Sequence, residues 1–285
     1  MPVWRRVSTV IDGACGGITR GAVSLAASTR ALLPLGSLSQ TGNVAGNPAH
    51  RGAVSVGNTD GHVARELAVR LISVASRPVG KTRLARAIRA SPTPYKAEVG
   101  SGPRMRPGWL SADVRWNSRL YLDVASEWPI PNDPVSHVYA DNVIEHLGLN
   151  ANRTLFAQAV RVLIPGGRMR LVIPDVGRLA RFYVDGGRDA EQHLANARTH
   201  GYTAEHLVDL LRIVFQDAGN HIGYLWDYSS LSSELRDAGF AEVVRCEIGR
   251  SSDPDFRALE ARSDEPESPI TLVVEASKPQ RGEPT

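Results

Sequence analysis

From Pro94 to Pro279 the sequence alternates short β-branched runs with stretches of helical periodicity, and this alternation restricts the fold more than any other feature. Parallel strands cannot be joined by tight turns, so each successive pair needs a crossover, usually a helix packed on the sheet. The expected strands are Lys96–Val99, Leu110–Val114, Arg119–Asp123, Ser136–Ala140, Arg168–Ile173, Ala241–Ile248 and Ile270–Ala276. Helical spacing fills Asn152–Leu163, Val176–Val184, Ala190–Phe215 in one or two pieces, and Ser229–Ala238. Pro165-Gly166-Gly167, Gly186-Gly187 and Gly239 punctuate the helix ends. The pattern predicts an α/β fold with a doubly wound, Rossmann-like, seven-stranded sheet. Only a loop separates the last two strands, which are expected to pair as a hairpin and supply an antiparallel edge strand.

The earlier part of the chain reads differently. Residues 1–60 are rich in Gly, Ser, Ala, Thr and Asn, lack hydrophobic periodicity and contain only Asp12 and Asp60 as acids. They bury too little apolar surface to offset their ordering entropy, so a mostly disordered tail is expected. Residues 61–93 carry two amphipathic helical patterns broken at Pro78. From Gly61 to Tyr95 there are seven basic residues (Arg65, Arg70, Arg77, Lys81, Arg83, Arg86 and Arg89) and one acid, Glu66. The segment is either an arm for a membrane surface or anionic partner, or a helix pair packed on the main domain with its arginines in water. Residues 94–279 form the expected main domain, and residues 280–285 a short tail.

Composition narrows the classes further. A hydrophobic content of 42% and a charged content of 22% exclude collagen, a long coiled coil and disorder throughout. Thirty-three Lys and Arg against thirty Asp and Glu leave +3, too small an excess to argue for nucleic-acid binding by the whole molecule. Cys15 and Cys246 fit neither a zinc spacing nor a disulfide framework, which favours a reducing, cytoplasmic setting. No run approaches the roughly 18 apolar residues of a membrane span. Met1–Arg6 followed by Ala22–Leu35 faintly imitates a targeting peptide, but Arg30 interrupts it and no clean cleavage pattern follows.

The sharpest local feature is Glu98-Val99-Gly100-Ser101-Gly102-Pro103, directly after the first strand. Two glycines allow a tight turn and close backbone approach to a ligand at the carboxyl end of that strand. A dinucleotide site would place a third small residue where Met105 stands, at the start of a helix that meets pyrophosphate. Asp113 and Asp123 end the second and third strands, where carboxylates can meet a nucleoside's ribose hydroxyls and lie near its base. Glu145-His146-Leu147 follows the fourth strand, and Arg161-Val162-Leu163-Ile164-Pro165-Gly166-Gly167 leads into the fifth.

With its Gly-Ser-Gly, Pro-Gly-Trp-Leu, Glu-His-Leu and Arg-Val-Leu-x-Pro-Gly-Gly elements, the sequence resembles class I methyltransferases that use S-adenosyl-L-methionine. The resemblance covers about Lys96 to Lys278, including the run Leu235–Phe240 before the terminal strand pair. It implies that Glu98, Gly100 and Gly102 line the methionine and ribose part of the cofactor, that Asp113 holds the ribose, that Asp123 lies beside the adenine, and that Asp141 joins this cofactor set. The branch is often found with polysaccharide or glycolipid biosynthesis, which implies a small-molecule or saccharide acceptor. Two departures stand out. The interval Glu98 to Asp113 is too short for a crossover helix, so Pro103–Trp109 must be a compact turn. Ser136-His137 occupies a place where the family often has an acid.

Methyl transfer asks the protein to align the acceptor and, for a hydroxyl acceptor, to remove a proton. His146, His221 and Asp175 are the candidate bases. Each has a structural alternative: His146 as a helix-end or core residue, Asp175 as the cap of a helix starting at Val176. Trp109, Trp116 and Trp128 can stack on a ligand or simply pack. No pair of carboxylates and histidines has a metal spacing; ligands for a divalent ion can still converge from separate loops, yet nothing here requires one. Gly80-Lys81-Thr82 imitates the end of a P-loop but lacks its first glycine and its strand. The rival readings are a nicotinamide-dependent oxidoreductase, which lacks the third loop glycine, and a nucleic-acid-binding methylase using the basic arm, which lacks an Asn-Pro-Pro-Tyr-like element.

Overall fold

The computed structural model describes residues 76–217, 223–257, 259–260 and 270–282, all within one compact unit of the chain, His62–Thr285. The expectations for residues 1–60, 61–75 and 283–285, and for His221, lie outside the described residues. Helix α1 is described over residues 76–90, without the break expected at Pro78. Its inward face is Gly80, Leu84, Ala87 and Ile88. Leu84 is buried in the main core, and a Cβ on Gly80 would fall 2.6 Å from the Cβ of Tyr121.

Among the described residues the sheet has six strands: β1 (Tyr95–Val99), β2 (Trp109–Ala112), β3 (Val135–Asp141), β4 (Leu163–Pro174), β5 (Ala241–Cys246) and β6 (Thr271–Ser277). Their order is β2-β1-β3-β4-β6-β5. The pairs β1/β2, β1/β3 and β3/β4 are parallel, and antiparallel pairing is confined to the hairpin edge, β4/β6 and β5/β6. Val138, Tyr139 and Ala140 of β3 are all buried, as expected of a central strand covered on both faces.

The expected strand Arg119–Asp123 contributes only an isolated parallel bridge between Asp113 and Tyr121, so among the described residues there are six strands where seven were expected. The cause is local. The Asp113 carboxylate accepts the Arg115 N–H at 2.8 Å, turning the chain immediately after β2 and leaving the 119–123 segment little strand to pair with. Strand β4 starts earlier than expected because Pro165-Gly166-Gly167 is absorbed into it. Gly166 donates to the Lys278 carbonyl at 3.0 Å, and Lys278 donates back to Gly167 at 2.8 Å.

Helix α2 (Leu149–Val162) buries Asn152, Leu155, Phe156, Ala159 and Val162, one stripe at helical spacing. Helix α3 (Val176–Asp185) passes through Gly186 and Gly187, at φ +62° and +84°, directly into α4 (Gly187–Thr199). The short α5 (Asp209–Arg212) runs into a π-helical turn, and α6 (Tyr228–Asp237) starts from a capping box between Asp227 and Ser230. Helices α3, α4 and α5 share a separate apolar cluster around Leu179, Leu194 and Leu210. One sheet face is covered by the irregular segment 247–260, which packs Phe256 beside Trp109, Tyr139 and Val172. Arg170 is buried on that face, with its guanidinium bonded to both Glu260 and Glu275.

Candidate functional site

Strand β1 lies between β2 and β3, and the chain steps to one side of it and then to the other. At such a switch point the loops leaving neighbouring strands diverge, opening a crevice at their carboxyl ends. The loops here are 100–108 after β1 and 142–148 after β3. No helix follows β1: residues 100–108 turn straight into β2, the compact connection its length required.

Gly100 has φ +71°, and a Cβ there would lie 2.2 Å from Cγ2 of Val143, so glycine is needed where the two loops touch. Gly102, at φ +63°, is different. Its Cβ direction is open, the nearest heavy atom being Nη1 of Arg115 at 3.9 Å. Its N–H donates to Oδ2 of Asp113 at 2.8 Å. Asp113 is therefore the clasp of the turn, accepting the backbone N–H of Gly102 on one oxygen and of Arg115 on the other. A carboxylate has about four acceptor positions, so capacity for two further donors remains.

Glu98 is buried beneath this turn. Its Oε1 accepts from Nη2 of Arg106 at 3.0 Å and its Oε2 from the Ser111 hydroxyl at 2.7 Å. The Arg106 guanidinium also lies 5.1 Å from the centre of the Tyr139 ring. Ser111 in turn accepts the Arg106 N–H at 2.9 Å. Ser111 was not singled out from sequence. The available signal was a serine two positions before Asp113 on a strand with otherwise apolar neighbours. Asp123 accepts the Ala125 N–H at 3.1 Å in a turn of its own. Asp141 ends β3 and accepts from Tyr139 Oη at 3.2 Å and from Asn142 Nδ2 at 3.1 Å. Burial together with the Asp141 and Glu260 carboxylates pushes the Tyr139 phenol far above its ordinary value.

His146 closes a one-turn 3-10 helix, Ile144–His146, at the crevice. Its side chain is 38% exposed, with Nε2 3.9 Å from Oε1 of Glu145. The turn is clamped from two sides. Asn152, fully buried, donates to the carbonyls of Ile144 at 2.9 Å and Leu147 at 3.0 Å. The chain also crosses it at Gly223, where a Cβ would fall 1.5 Å from the Glu145 carbonyl oxygen, and Tyr224 donates to Leu147 at 2.9 Å. Asn152 was missed from sequence, although a polar residue on the apolar stripe of α2 was its signature.

The other sequence candidates are placed elsewhere. Asp175 is 2% exposed and caps α3 by accepting the Arg178 N–H at 3.1 Å, while its second oxygen is ion-paired with Arg245. Trp128 is buried with its indole N–H on the Val124 carbonyl, and Trp109 packs among His137, Tyr139 and Phe256. Trp226 lies against Phe156 in the core with its indole N–H on the Ile144 carbonyl of the His146 turn at 3.5 Å, Tyr224 borders the same turn, and Tyr228 donates to the Val243 carbonyl.

At the opposite, amino end of the strands the fold assembles a group that sequence spacing did not reveal: His137, Asp253 and Asp255, with ligand atoms within 4.8 Å of one another. Two cations already answer these carboxylates, Lys96 at 2.7 Å from Asp255 and Arg168 at 3.8 Å from Asp253. His137 Nε2 is 2.9 Å from Asp253, which makes the group an ion-pair cluster locking segment 247–260 to the sheet. A cavity of about 530 Å³ adjoins it, lined by Tyr95, Lys96, Trp109, Ser136 and Asp255 among others.

No protein-family model matches the chain, and no curated protein matches it. Among solved structures it is similar to phosphoethanolamine N-methyltransferase 2 of Haemonchus contortus in complex with S-adenosyl-L-methionine, at 14% identity over 70% of this chain and 52% of that one, with a TM-score of 0.39. A SAM-dependent methyltransferase of Thermotoga maritima is similar at 12% identity over 76% of this chain and 96% of that one, with a TM-score of 0.40. The CurJ carbon methyltransferase is similar at 13% identity over 78% and 59%, with a TM-score of 0.38. The chain spans about half the length of the first of these proteins.

Proposed function

We propose that the chain is an S-adenosyl-L-methionine-dependent methyltransferase acting on a hydroxyl of a small-molecule or saccharide acceptor, including the sugar of a glycolipid. The observation that carries this reading is the Asp113 clasp on the Gly100–Gly102 turn at the sheet's switch point, with no helix after β1. A dinucleotide's pyrophosphate is normally met by a helix N-terminus at that place, and a turn cannot supply one. A nucleoside asks instead for a carboxylate with spare acceptor capacity beside an open backbone, which Asp113 and Gly102 provide. The residues fit the cofactor in this respect: Gly100–Gly102 and Asp113 would hold its ribose side, with Asp123 and Asp141 flanking. Glu98 acts from beneath, fixing the turn through Arg106 and Ser111.

When bound, the cofactor supplies a methyl group activated by its sulfonium. The protein's part is to orient the acceptor and take its proton. His146 is the base in this reading, because it stands at the crevice on a turn clamped by Asn152 and Gly223. Asp175 has both oxygens occupied by a helix cap and an arginine. An imidazole nitrogen of His146 would take the proton of the acceptor hydroxyl as that oxygen takes the methyl group from sulfur, the sulfonium leaving as the neutral thioether.

Calorimetric titration with S-adenosyl-L-methionine and S-adenosylhomocysteine tests the reading. Binding is expected, and Asp113→Ala should weaken it at least tenfold. If neither the full chain nor a chain lacking residues 1–60 binds either compound, the proposal fails. Fluorescence titration with a reduced nicotinamide cofactor separates the oxidoreductase alternative.

A further inference from the structure

Residues 76–122 contain ten lysines and arginines against two acidic residues, and both acids, Glu98 and Asp113, are buried. Seven of the cations are exposed, among them Arg77, Lys81, Arg83, Arg86 and Arg119. This stretch has no exposed acidic side chain. Within this stretch the exposed charge is of one sign, the next acids being Asp123 and Glu127 beyond it.

The stretch also lies along one edge of the described sheet. β2 is the edge strand, Tyr121 is bridged to Asp113 at its end, and α1 packs on Tyr121 through Gly80. The charged ends of Arg77 and Lys81 each lie 5.7 Å from the centre of the Tyr121 ring. Arg119 reaches Sδ of Met105 at 3.6 Å across the turn that follows Gly102. Among these cations stand three exposed apolar side chains: Val79 at 52%, Met105 at 48% and Val114 at 46%. Val79, Arg83 and Arg86 follow one another at i, i+4 and i+7, so they share the outward face of α1.

We infer that this edge docks on an anionic lipid bilayer. Clustered Lys and Arg are attracted by the negative surface potential of acidic headgroups, and exposed apolar side chains among them enter the boundary between headgroups and acyl chains. A nucleic acid would reward the cations but offers nothing to Val79, Met105 and Val114, since its single-stranded forms are gripped by aromatic stacking. Gly102 and Asp113 belong to the same edge, so the crevice mouth would open next to the membrane. An acceptor carried on a lipid would reach it there, a consequence that rests on the methyl-transfer reading.

Co-sedimentation of the full chain with vesicles of phosphatidylcholine, alone or mixed with phosphatidylserine, tests the inference. Binding is expected only to the mixed vesicles and should fall with added salt. Each cation near the surface contributes about fivefold, so Arg83→Ala combined with Arg86→Ala should lower the partition coefficient about 25-fold. Val79→Ser combined with Met105→Ser should lower it several-fold without changing the salt dependence. The inference is overturned if neutral vesicles bind equally well, or if the double-alanine variant binds like the parent. It is also overturned if the chain ignores vesicles but binds duplex RNA through the same arginines. Vesicle binding without cofactor binding in calorimetry would keep the docking surface and discard the methyltransferase reading; the reverse result would do the opposite.

Discussion

The carboxyl-end crevice and the face covered by segment 247–260 both depend on buried carboxylates, yet they hold them in opposite ways. At the crevice, Asp113 is bound by two backbone N–H groups, and Glu98 by a serine hydroxyl and one partly exposed arginine. On the covered face, Glu260 and Glu275 converge on the fully buried guanidinium of Arg170, and Arg168 reinforces Glu275 at 3.0 Å. Backbone donors leave a carboxylate with spare acceptor positions facing a crevice. A buried guanidinium uses those positions up and returns cohesion. The first arrangement suits a ligand site, and the second ties an irregular segment to a sheet where a helix would otherwise pack.

The contrast breaks most sharply at Arg170. Replacing it with leucine strands two buried carboxylates and should lower the unfolding free energy by about 3–5 kcal/mol in urea denaturation. Cofactor binding by the folded fraction should not change. A loss below about 1 kcal/mol would show that the network is not what holds the covered face together.

At the crevice the expected losses are functional. His146→Ala should reduce turnover by about 10²- to 10⁴-fold with little change in thermal midpoint. Asp175→Ala should do the reverse, costing about 1–2 kcal/mol of stability through the lost α3 cap while leaving the bond-making step intact. If Asp175→Ala abolishes turnover in a protein that melts normally, the assignment of the base moves to Asp175.

Gly100→Ala probes the contact between the two crevice loops. The left-handed backbone and the overlap with Val143 should together cost about 2–3 kcal/mol by denaturation. Adding Val143→Ala should recover the part due to overlap and leave the part due to φ.

The smallest effect is expected at the amino end of the strands. Burial pushes the Asp253 carboxyl up, but the His137 hydrogen bond, the Asp255 N–H and the nearby positive charges outweigh it and hold the carboxyl below its ordinary range. A lowered value means that Asp253 contributes stability at pH values above the unfolded carboxyl's value of about 3.9, and that this contribution is lost as pH falls through the folded value. Asp253→Asn should therefore flatten the acid limb of a stability–pH profile and leave the neutral and alkaline limbs parallel to the parent's.

Much of this molecule was legible without coordinates. Strand and helix positions followed from periodicity, since a buried strand and a one-sided helix each impose their own spacing of apolar residues. The two glycines after β1 and the acid ending β2 marked the crevice, because glycine conformations and strand-end carboxylates are local properties. Long-range contacts were not legible in the same way. No spacing rule reveals that Asp113 would clasp Gly102, that Asp175 would face Arg245, or that His137 would meet Asp253 from a segment more than a hundred residues away. The same rules overstated the sheet at Arg119–Asp123, where Leu120, Tyr121 and Leu122 are buried as a strand's would be but the turn at Asp113 leaves them a single bridge, to Asp113 itself. The sequence by itself determined which residue types stand at the ends of which strands, because backbone preference and hydrophobic period act over a few neighbours. Only the tertiary structure decided what each carboxylate does there, because its role depends on the donor that the rest of the chain brings to it.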